Sequence, residues 1–169
     1  MTDGRPGRRQ LRLPEYDYSQ AGCYFITVCT AGRRCLLGAV GRDDLGAPSV
    51  RLTPYGKIVE QYICSIPAAY DTVQIDQYVI MPNHIHLLLW IRTGSGAPGS
   101  SRPTQMVPRI VAALKRFTNR DAGIKLWQPS FYDHIIRDEN DFLRIWTYIA
   151  ANPSKWAEDR YYDKEGAAL

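Results

Sequence analysis

The pattern of apolar and polar residues predicts four strands along the chain. β-Branched and aromatic residues fill CYFITVCT, at positions 23–30, as in a typical strand. Apolar and polar residues alternate over 72–80, and an apolar run occupies 84–91. The turn signal MPN separates these two segments, so they are predicted to form an antiparallel hairpin. A shorter apolar run over 131–138 is predicted to be the last strand.

Three further segments repeat apolar residues at helical spacing. The first follows the helix cap Thr53, and Pro67 is expected to end it. The second covers 108–120. The third covers 139–152, where Pro153 disfavours helical geometry in the preceding residue. The order strand, helix, strand, strand, helix, strand, helix predicts an α+β fold of the ferredoxin-like, split βαβ type, with an antiparallel sheet and helices packed on one face.

The chain length of 169 residues suits one domain with a core of its own. We assign the domain to 23–156, with a basic N-terminal arm at 1–22 and a C-terminal tail at 157–169. Gly, Ser and Pro dominate 93–103, which is predicted to be a flexible linker within the domain.

The net charge of +4 is unevenly distributed along the chain. The first twelve residues hold four arginines and one aspartate, which suits a polyanionic partner, although a solvated terminus has the same composition. A second basic group, Arg109, Arg116 and Arg120, shares one face of the helix at 108–120, and a solvated outer face is the alternative. No apolar run reaches the roughly 18 residues of a membrane-spanning helix and no secretion signal opens the chain, so we expect no membrane partner and a cytoplasmic location.

Two histidines stand at alternate positions of the strand predicted over 84–91. His84 and His86 would share one face, roughly 6.5 Å apart along the strand, while Ile85 and Leu87 point the other way. Two imidazoles at this spacing can converge on one divalent ion. Two surface histidines on a half-exposed strand are the alternative, and an isolated H-x-H motif does not decide between them.

The last helix offers further polar groups. Tyr148 and Asn152 are four residues apart and therefore share a helix face. The amide oxygen of Asn152 suits a hard cation such as Mg²⁺ or Mn²⁺, and Tyr148 would lie one turn away. A packing tyrosine and an asparagine that ends the helix are the alternative interpretation of the same two residues.

Several motifs together resemble one known family. They are YVIMPNHIHLLLW (78–90), LWQPSFYDHIIRD (126–138) and YIAANPSKW (148–156), and RLPEYDYSQAGCYFITVCT (12–30) is similar to the family's N-terminal region. In this order and at these separations the motifs resemble the REP-associated tyrosine transposases, which belong to the HUH group of single-strand DNA transposases.

The resemblance implies an endonuclease and strand transferase that acts on single-stranded, hairpin-forming DNA. It implies His84 and His86 as metal ligands and Tyr148 as the nucleophile on a C-terminal catalytic helix, forming a 5′-phosphotyrosine intermediate. Asn152 falls at the third ligand position, where many relatives have a longer Gln or Glu. Mg²⁺ or Mn²⁺ is expected, because no thiolate joins the set. His134 in the YDHIIRD motif matches the family without an implied role.

The resemblance also implies contacts to DNA phosphates and bases. The basic residues predicted to contact the nucleic acid are Arg8, Arg9, Arg12, Arg109, Lys115, Arg116, Arg120 and Arg137. The aromatic residues predicted to stack on bases are Tyr16, Tyr18, Trp127 and Phe131. Each of these aromatic residues has a packing role as its alternative.

Two other functions remain open at this point. The chain could be a DNA-binding module of the same fold that does not cleave, or a metal-dependent phosphoesterase in which water attacks in place of a tyrosine. Tyr132 is a rival nucleophile within the matched motif. The protein is expected to be a monomer, or a homodimer whose subunits exchange the tyrosine helix.

Overall fold

The computed structural model describes residues 21–92 and 106–163, and within them the main sheet is antiparallel throughout. Its four strands are β1 (Gly22–Cys29), β4 (Val73–Ile80), β5 (His84–Ile91) and β6 (Tyr132–Ile136). They lie in the order β4-β5-β1-β6, which is the ferredoxin-like order. The α+β, ferredoxin-like prediction is confirmed.

Three α-helices cover the two faces of this sheet. α1 (Pro54–Ala69) and α2 (Met106–Ala122) pack on one face, over an aliphatic core that includes Ile26 and Leu87. α3 (Glu139–Ala151) packs on the opposite face. The expectation of helices on one face therefore holds for α1 and α2. None of the helices in the described parts of the chain is long and apolar enough to span a membrane.

A second, two-stranded sheet was not predicted. β2 (Gly38–Arg42) and β3 (Pro48–Leu52) form an antiparallel hairpin in a segment that the sequence pattern assigns to a loop. The hairpin is mostly exposed or half-buried, so it carries little of the apolar alternation that marks a strand.

The structure departs from the prediction at Pro67 and in the backbone conformation of Asn152, the residue before Pro153. α1 continues through Pro67 to Ala69, because a proline in the last turn removes only one helical hydrogen bond while Ile63 and Ile66 remain buried. α3 ends as predicted, but Asn152 keeps helical angles (φ −55°, ψ −46°) and the chain turns directly into a 3₁₀ helix, Pro153–Glu158.

The placement of α3 is fixed at its first turns. Asp138 caps the helix by accepting a hydrogen bond from the Asp141 amide at 2.8 Å. The Asp141 carboxylate lies 2.7 Å from Nε2 of His134 on β6, which ties the helix to the edge strand. Ile145 and Ile149 then bury against the sheet. These contacts hold α3 against the sheet face that carries Phe25 and Leu88.

Candidate metal and nucleophile site

Both histidines of the H-x-H motif lie on the face of the sheet that α3 covers. His84 is fully buried and His86 is 1% exposed, so the surface-histidine alternative is wrong. Their ring centroids are 4.6 Å apart. The intervening Ile85 and the following Leu87 belong to the core on the opposite face, as the strand alternation predicts.

Asn83 determines which nitrogen of His84 is free. Its side-chain amide donates to the backbone carbonyls of Tyr161 at 2.7 Å and Arg33 at 3.1 Å. The amide oxygen therefore faces His84, whose Nδ1 lies 2.9 Å away and must carry the proton. The lone pair of His84 is left on Nε2, which is the form that binds a metal. The sequence interpretation treated Asn83 only as part of a turn.

A residue of the neighbouring strand orients His86 in the same way. Thr27 pairs with His86 across β1 and β5, and its hydroxyl lies 2.8 Å from Nδ1 of the ring. Nε2 of His86 is again directed away from this partner. Hydrogen bonds to the far nitrogen are the usual support of a metal-binding histidine. Thr27 could be recognised only from the strand register, because it lies 59 residues from His86 in the chain.

Three buried polar atoms of the predicted metal ligands have no hydrogen-bond partner in the described structure. They are Nε2 of His84, Nε2 of His86 and Oδ1 of Asn152. A buried polar atom without a partner costs about 1–3 kcal/mol of folding free energy. A divalent cation would satisfy all three atoms, and the set matches the nitrogen and oxygen ligands such ions bind.

Asp159 adds a carboxylate to this group. His84, His86 and Asp159 place ligand atoms within 4.8 Å of one another. One Asp159 oxygen accepts from the Tyr161 amide at 2.7 Å, and the other lies 4.0 Å from Nε2 of His84. The sequence analysis assigns 157–169 to a C-terminal tail, and two residues of that segment, Asp159 and Tyr161, lie against His84. No spacing signal in the sequence marks Asp159, because it lies far along the chain from the motif.

The electrostatic environment keeps both imidazoles neutral. Burial lowers the pKa of His84 to about 3, against a smaller opposing effect of the nearby Asn152 amide. Burial, with the neighbouring His84 and Arg160, lowers the pKa of His86 well below its ordinary value. Burial raises the pKa of Asp159. Neutral imidazoles can accept a cation over the whole physiological pH range.

Tyr148 lies beside the histidines of its own chain. Its ring centroid is 5.3 Å from that of His86 and 6.1 Å from that of Phe25, and the side chain keeps 38% exposure. Burial raises the pKa of the phenol, and the Asn152 amide opposes this shift. The structure thus brings together the four predicted residues His84, His86, Tyr148 and Asn152.

A cavity of about 480 Å³ opens next to Tyr148 and Asn152. Three basic residues that the sequence interpretation missed line it: Arg144, Lys155 and Arg160. They belong to α3 and to the segment that follows it, where no charge pattern distinguishes them from surface residues. Glu158 and Asp159 line the cavity as well, and the three cationic groups are of the types that contact phosphates.

Three of the arginines predicted to contact DNA lie on the far side of the sheet from the histidines. Arg109, Arg116 and Arg120 are exposed on α2, which packs on the sheet face opposite the histidines. Arg120 is also paired with Asp121 at 2.7 Å. Arg137 is exposed just after β6. The candidates Arg8, Arg9, Arg12, Tyr16 and Tyr18 lie outside the described residues.

Two predicted DNA contacts have structural roles instead. The Lys115 amine donates to the carbonyls of Gln128, Pro129 and Ser130 at 2.7, 3.2 and 3.0 Å, so its three N–H groups are used within the protein. Trp127 is 1% exposed in the core, and its indole N–H donates to Thr118 at 2.8 Å. Neither side chain presents a free surface to DNA. Phe131, the other aromatic candidate here, is half-buried against the same core.

Comparison with known proteins identifies the family. An uncharacterized protein of Haemophilus influenzae is 33% identical over 92% of this chain and 93% of its own length. The REP-associated tyrosine transposase of Escherichia coli is 30% identical over 82% of this chain and 70% of its own length. The chain belongs to the REP-associated tyrosine transposase family. No family model matches the chain.

The fold comparison agrees with this membership. A REP-associated tyrosine transposase solved with a REP hairpin matches 85% of this chain and 73% of its own length, with a TM-score of 0.60 and 23% identity. At this identity the match shows the shared fold. Family membership therefore rests on the sequence relatives, and the arrangement of the site rests on the geometry described above.

Proposed function

We propose that this chain is a metal-dependent single-stranded DNA endonuclease and strand transferase that acts on hairpin DNA through a 5′-phosphotyrosine. Its relative from Escherichia coli is a transposase, and the solved relative holds a REP hairpin. The observation that carries the proposal is the position of Tyr148, whose ring lies 5.3 Å from that of His86. Beside it lie the three buried, unpartnered atoms described above.

The residues of the site divide into ligands and a nucleophile. His84 and His86 would hold Mg²⁺ or Mn²⁺, with the oxygens of Asn152 and Asp159 completing the protein ligands. When bound, the ion supplies Lewis-acid polarisation of the scissile phosphate and compensates its growing charge. Hydrogen bonds between His84 and the amide oxygen of Asn83, and between His86 and the hydroxyl of Thr27, hold the two imidazoles in the orientation that this requires.

Tyr148 performs the covalent step. Its phenolic oxygen bonds to phosphorus while the bond from phosphorus to the 3′-oxygen breaks, and the departing oxygen gains a proton as a 3′-hydroxyl. Because the bond energy is kept in the phosphotyrosine, a second 3′-hydroxyl can reverse the step on another strand. Burial disfavours the phenolate, so positive charge at the site, including that of Arg160, is needed to stabilise it.

Substrate phosphates would bind in the cavity that Tyr148 shares with Arg144, Lys155 and Arg160. The basic arm and the arginines of α2 remain predicted contacts for more distant parts of the hairpin. The site is assembled within one chain, so we propose that a monomer suffices. A cytoplasmic location stays a prediction from the sequence.

The test is the formation of a denaturant-resistant protein–DNA adduct. Purified protein is mixed with labelled hairpin DNA and Mn²⁺, and the adduct is measured on a denaturing gel. We expect an adduct with the wild type and with Tyr70→Phe, a matched tyrosine outside the site, and none with Tyr148→Phe.

Other outcomes would select the alternatives. DNA binding without an adduct from the wild type would indicate a binding module. Cleavage that persists in Tyr148→Phe, with no adduct, would indicate attack by water. An adduct that is lost in Tyr132→Phe and kept in Tyr148→Phe would move the nucleophile to Tyr132.

A further inference from the structure

A second cavity, of about 270 Å³, lies between the edge strand β6 and α3. It differs from the cavity that Tyr148 shares with Lys155, because Tyr132 and His134 of β6 form its outer wall. Arg144 and Tyr148 form the wall on α3. His86 and Tyr161 also line it, so the cavity lies directly beside the proposed nucleophile and the proposed metal ligand His86.

The aromatic rings of Phe25, Tyr132 and Tyr148 line this cavity, which we call the slot. Both tyrosine rings contact the Phe25 ring in an edge-on arrangement. The Tyr132 ring lies 6.4 Å from Phe25 at an interplanar angle of 71°. The Tyr148 ring lies 6.1 Å from Phe25 at 83°. Tyr132 keeps 39% exposure on the edge strand, so its ring has a face available to a ligand.

The charged rim of the slot complements a phosphate. Arg144 and Arg160 both reach it. Arg144 is held in place by the Asp141 carboxylate at 2.5 Å, which is also the carboxylate that binds His134 at 2.7 Å. The side chain of Arg144 is nevertheless 67% exposed, which leaves its guanidinium accessible to a ligand. An exposed aromatic ring with cations beside it matches one nucleotide: a base stacked on the Tyr132 ring and its phosphate at the arginines.

We propose that this slot binds the unpaired base next to the scissile phosphate, stacked on Tyr132, and so contributes to the choice of cleavage position. The proposal rests on the proposed function, because that function places the scissile phosphate at Tyr148. Stacking tolerates every base, whereas the His134 and Arg144 side chains at the slot can distinguish base edges by hydrogen bonding.

The test separates base binding from cleavage. Cleavage by the wild type first gives the cleavage position, and separate hairpins are made with 2-aminopurine in place of the base on either side of it. Each hairpin is then bound to the Tyr148→Phe variant, which keeps the ring and lacks the nucleophile. We expect the 2-aminopurine fluorescence to fall on binding at one of these two positions. Adding Tyr132→Ala should restore the fluorescence and weaken binding of that hairpin by about tenfold, whereas adding Tyr132→Phe should preserve the stacking.

Trp90→Ala provides the matched control, because Trp90 is a 40% exposed aromatic residue at the other end of β5. It should leave the 2-aminopurine signal unchanged. The proposal is overturned if neither position changes its fluorescence, if the Tyr148→Phe protein does not bind the hairpin, or if quenching survives Tyr132→Ala. Absence of an adduct with the wild type would contradict the proposed cleavage, on which this proposal rests, whereas an adduct without quenching would contradict the base slot alone.

Discussion

The two faces of the four-stranded sheet use the same strands for opposite purposes. On the face covered by α1 and α2, β5 contributes Ile85 and Leu87, fully buried among aliphatic neighbours. On the face covered by α3, the same strand contributes His84 and His86, equally buried but with Nε2 atoms that no described residue satisfies. One face provides folding stability through apolar burial. The other carries a cost in stability, because buried Nε2 atoms that we propose as metal ligands have no hydrogen-bond partner there.

The largest expected difference between the faces concerns activity. His86→Leu removes one ligand and should reduce adduct formation by more than about a hundredfold. Its free energy of unfolding should fall by no more than about 1 kcal/mol, because a buried atom without a partner is removed together with the hydrogen bond to Thr27. Gel analysis of the adduct and urea unfolding measure the two quantities. A much larger decrease in the free energy of unfolding would contradict the conclusion that the unpartnered Nε2 of His86 destabilises the folded protein.

The neighbouring residue on the aliphatic face should behave in the opposite way. Leu87→Ala creates a cavity in the core and should lower the free energy of unfolding by roughly 2–5 kcal/mol. The fraction that stays folded should still bind Mn²⁺ with wild-type affinity. Urea unfolding and calorimetric Mn²⁺ titration at low temperature test this. Weak Mn²⁺ binding by the folded variant would mean that the two faces are coupled.

The pH dependence of stability should come from the α3 face. Burial lowers the pKa of His84 to about 3, so below the ordinary histidine value of about 6.5 the unfolded chain binds protons that the folded chain does not. Stability of the metal-free protein should therefore fall as the pH decreases from about 6.5 toward 3. The loss should approach roughly 1.4 kcal/mol per pH unit for each buried histidine. Urea unfolding at a series of pH values should show a flatter profile for the His84→Gln/His86→Gln variant than for the wild type, and equal slopes would contradict the assignment.

The smallest expected effect is a difference in DNA binding between an arginine on the α3 face and an arginine on the α1 and α2 face. Arg144→Gln removes a cation at the cavity beside Tyr148 and should weaken hairpin binding several-fold, with a decrease of about one in the salt-dependence slope. Arg116→Gln changes an exposed arginine of α2 and should weaken binding less. Fluorescence anisotropy over a range of salt concentrations measures both. A larger effect of Arg116 would place the main DNA contact on the α1 and α2 face.

The local sequence pattern predicts which side chains share a face better than it predicts the residues that support them. The alternation around His84 and His86 predicts their shared face, and the four-residue interval between Tyr148 and Asn152 predicts theirs, because both relations depend on the geometry of a single element. Thr27 and Asp159 belong to the same site through strand pairing and chain folding over long separations, which no local spacing encodes. Trp127 and Lys115 show the converse: a residue type suited to DNA contact can be required by the core or by a loop.

The β2–β3 hairpin and Pro67 show a similar limit for the fold. Strand pairing between short, exposed segments leaves little apolar pattern, and packing of a helix can outweigh one unfavourable proline. The order of the strongly apolar elements was sufficient to predict the fold, because those elements form the sheet and both of its covering layers.

The central claim is that the nucleophile and the cation ligands meet within one chain. Mixing His86→Leu with Tyr148→Phe tests it, because each variant alone lacks one half of the site. If the site forms within one chain, the mixture should give no adduct with hairpin DNA and Mn²⁺ at any ratio, while wild-type protein at the same concentration gives one. An adduct recovered in the mixture would show that Tyr148 of one subunit serves the histidines of another, and would contradict the account.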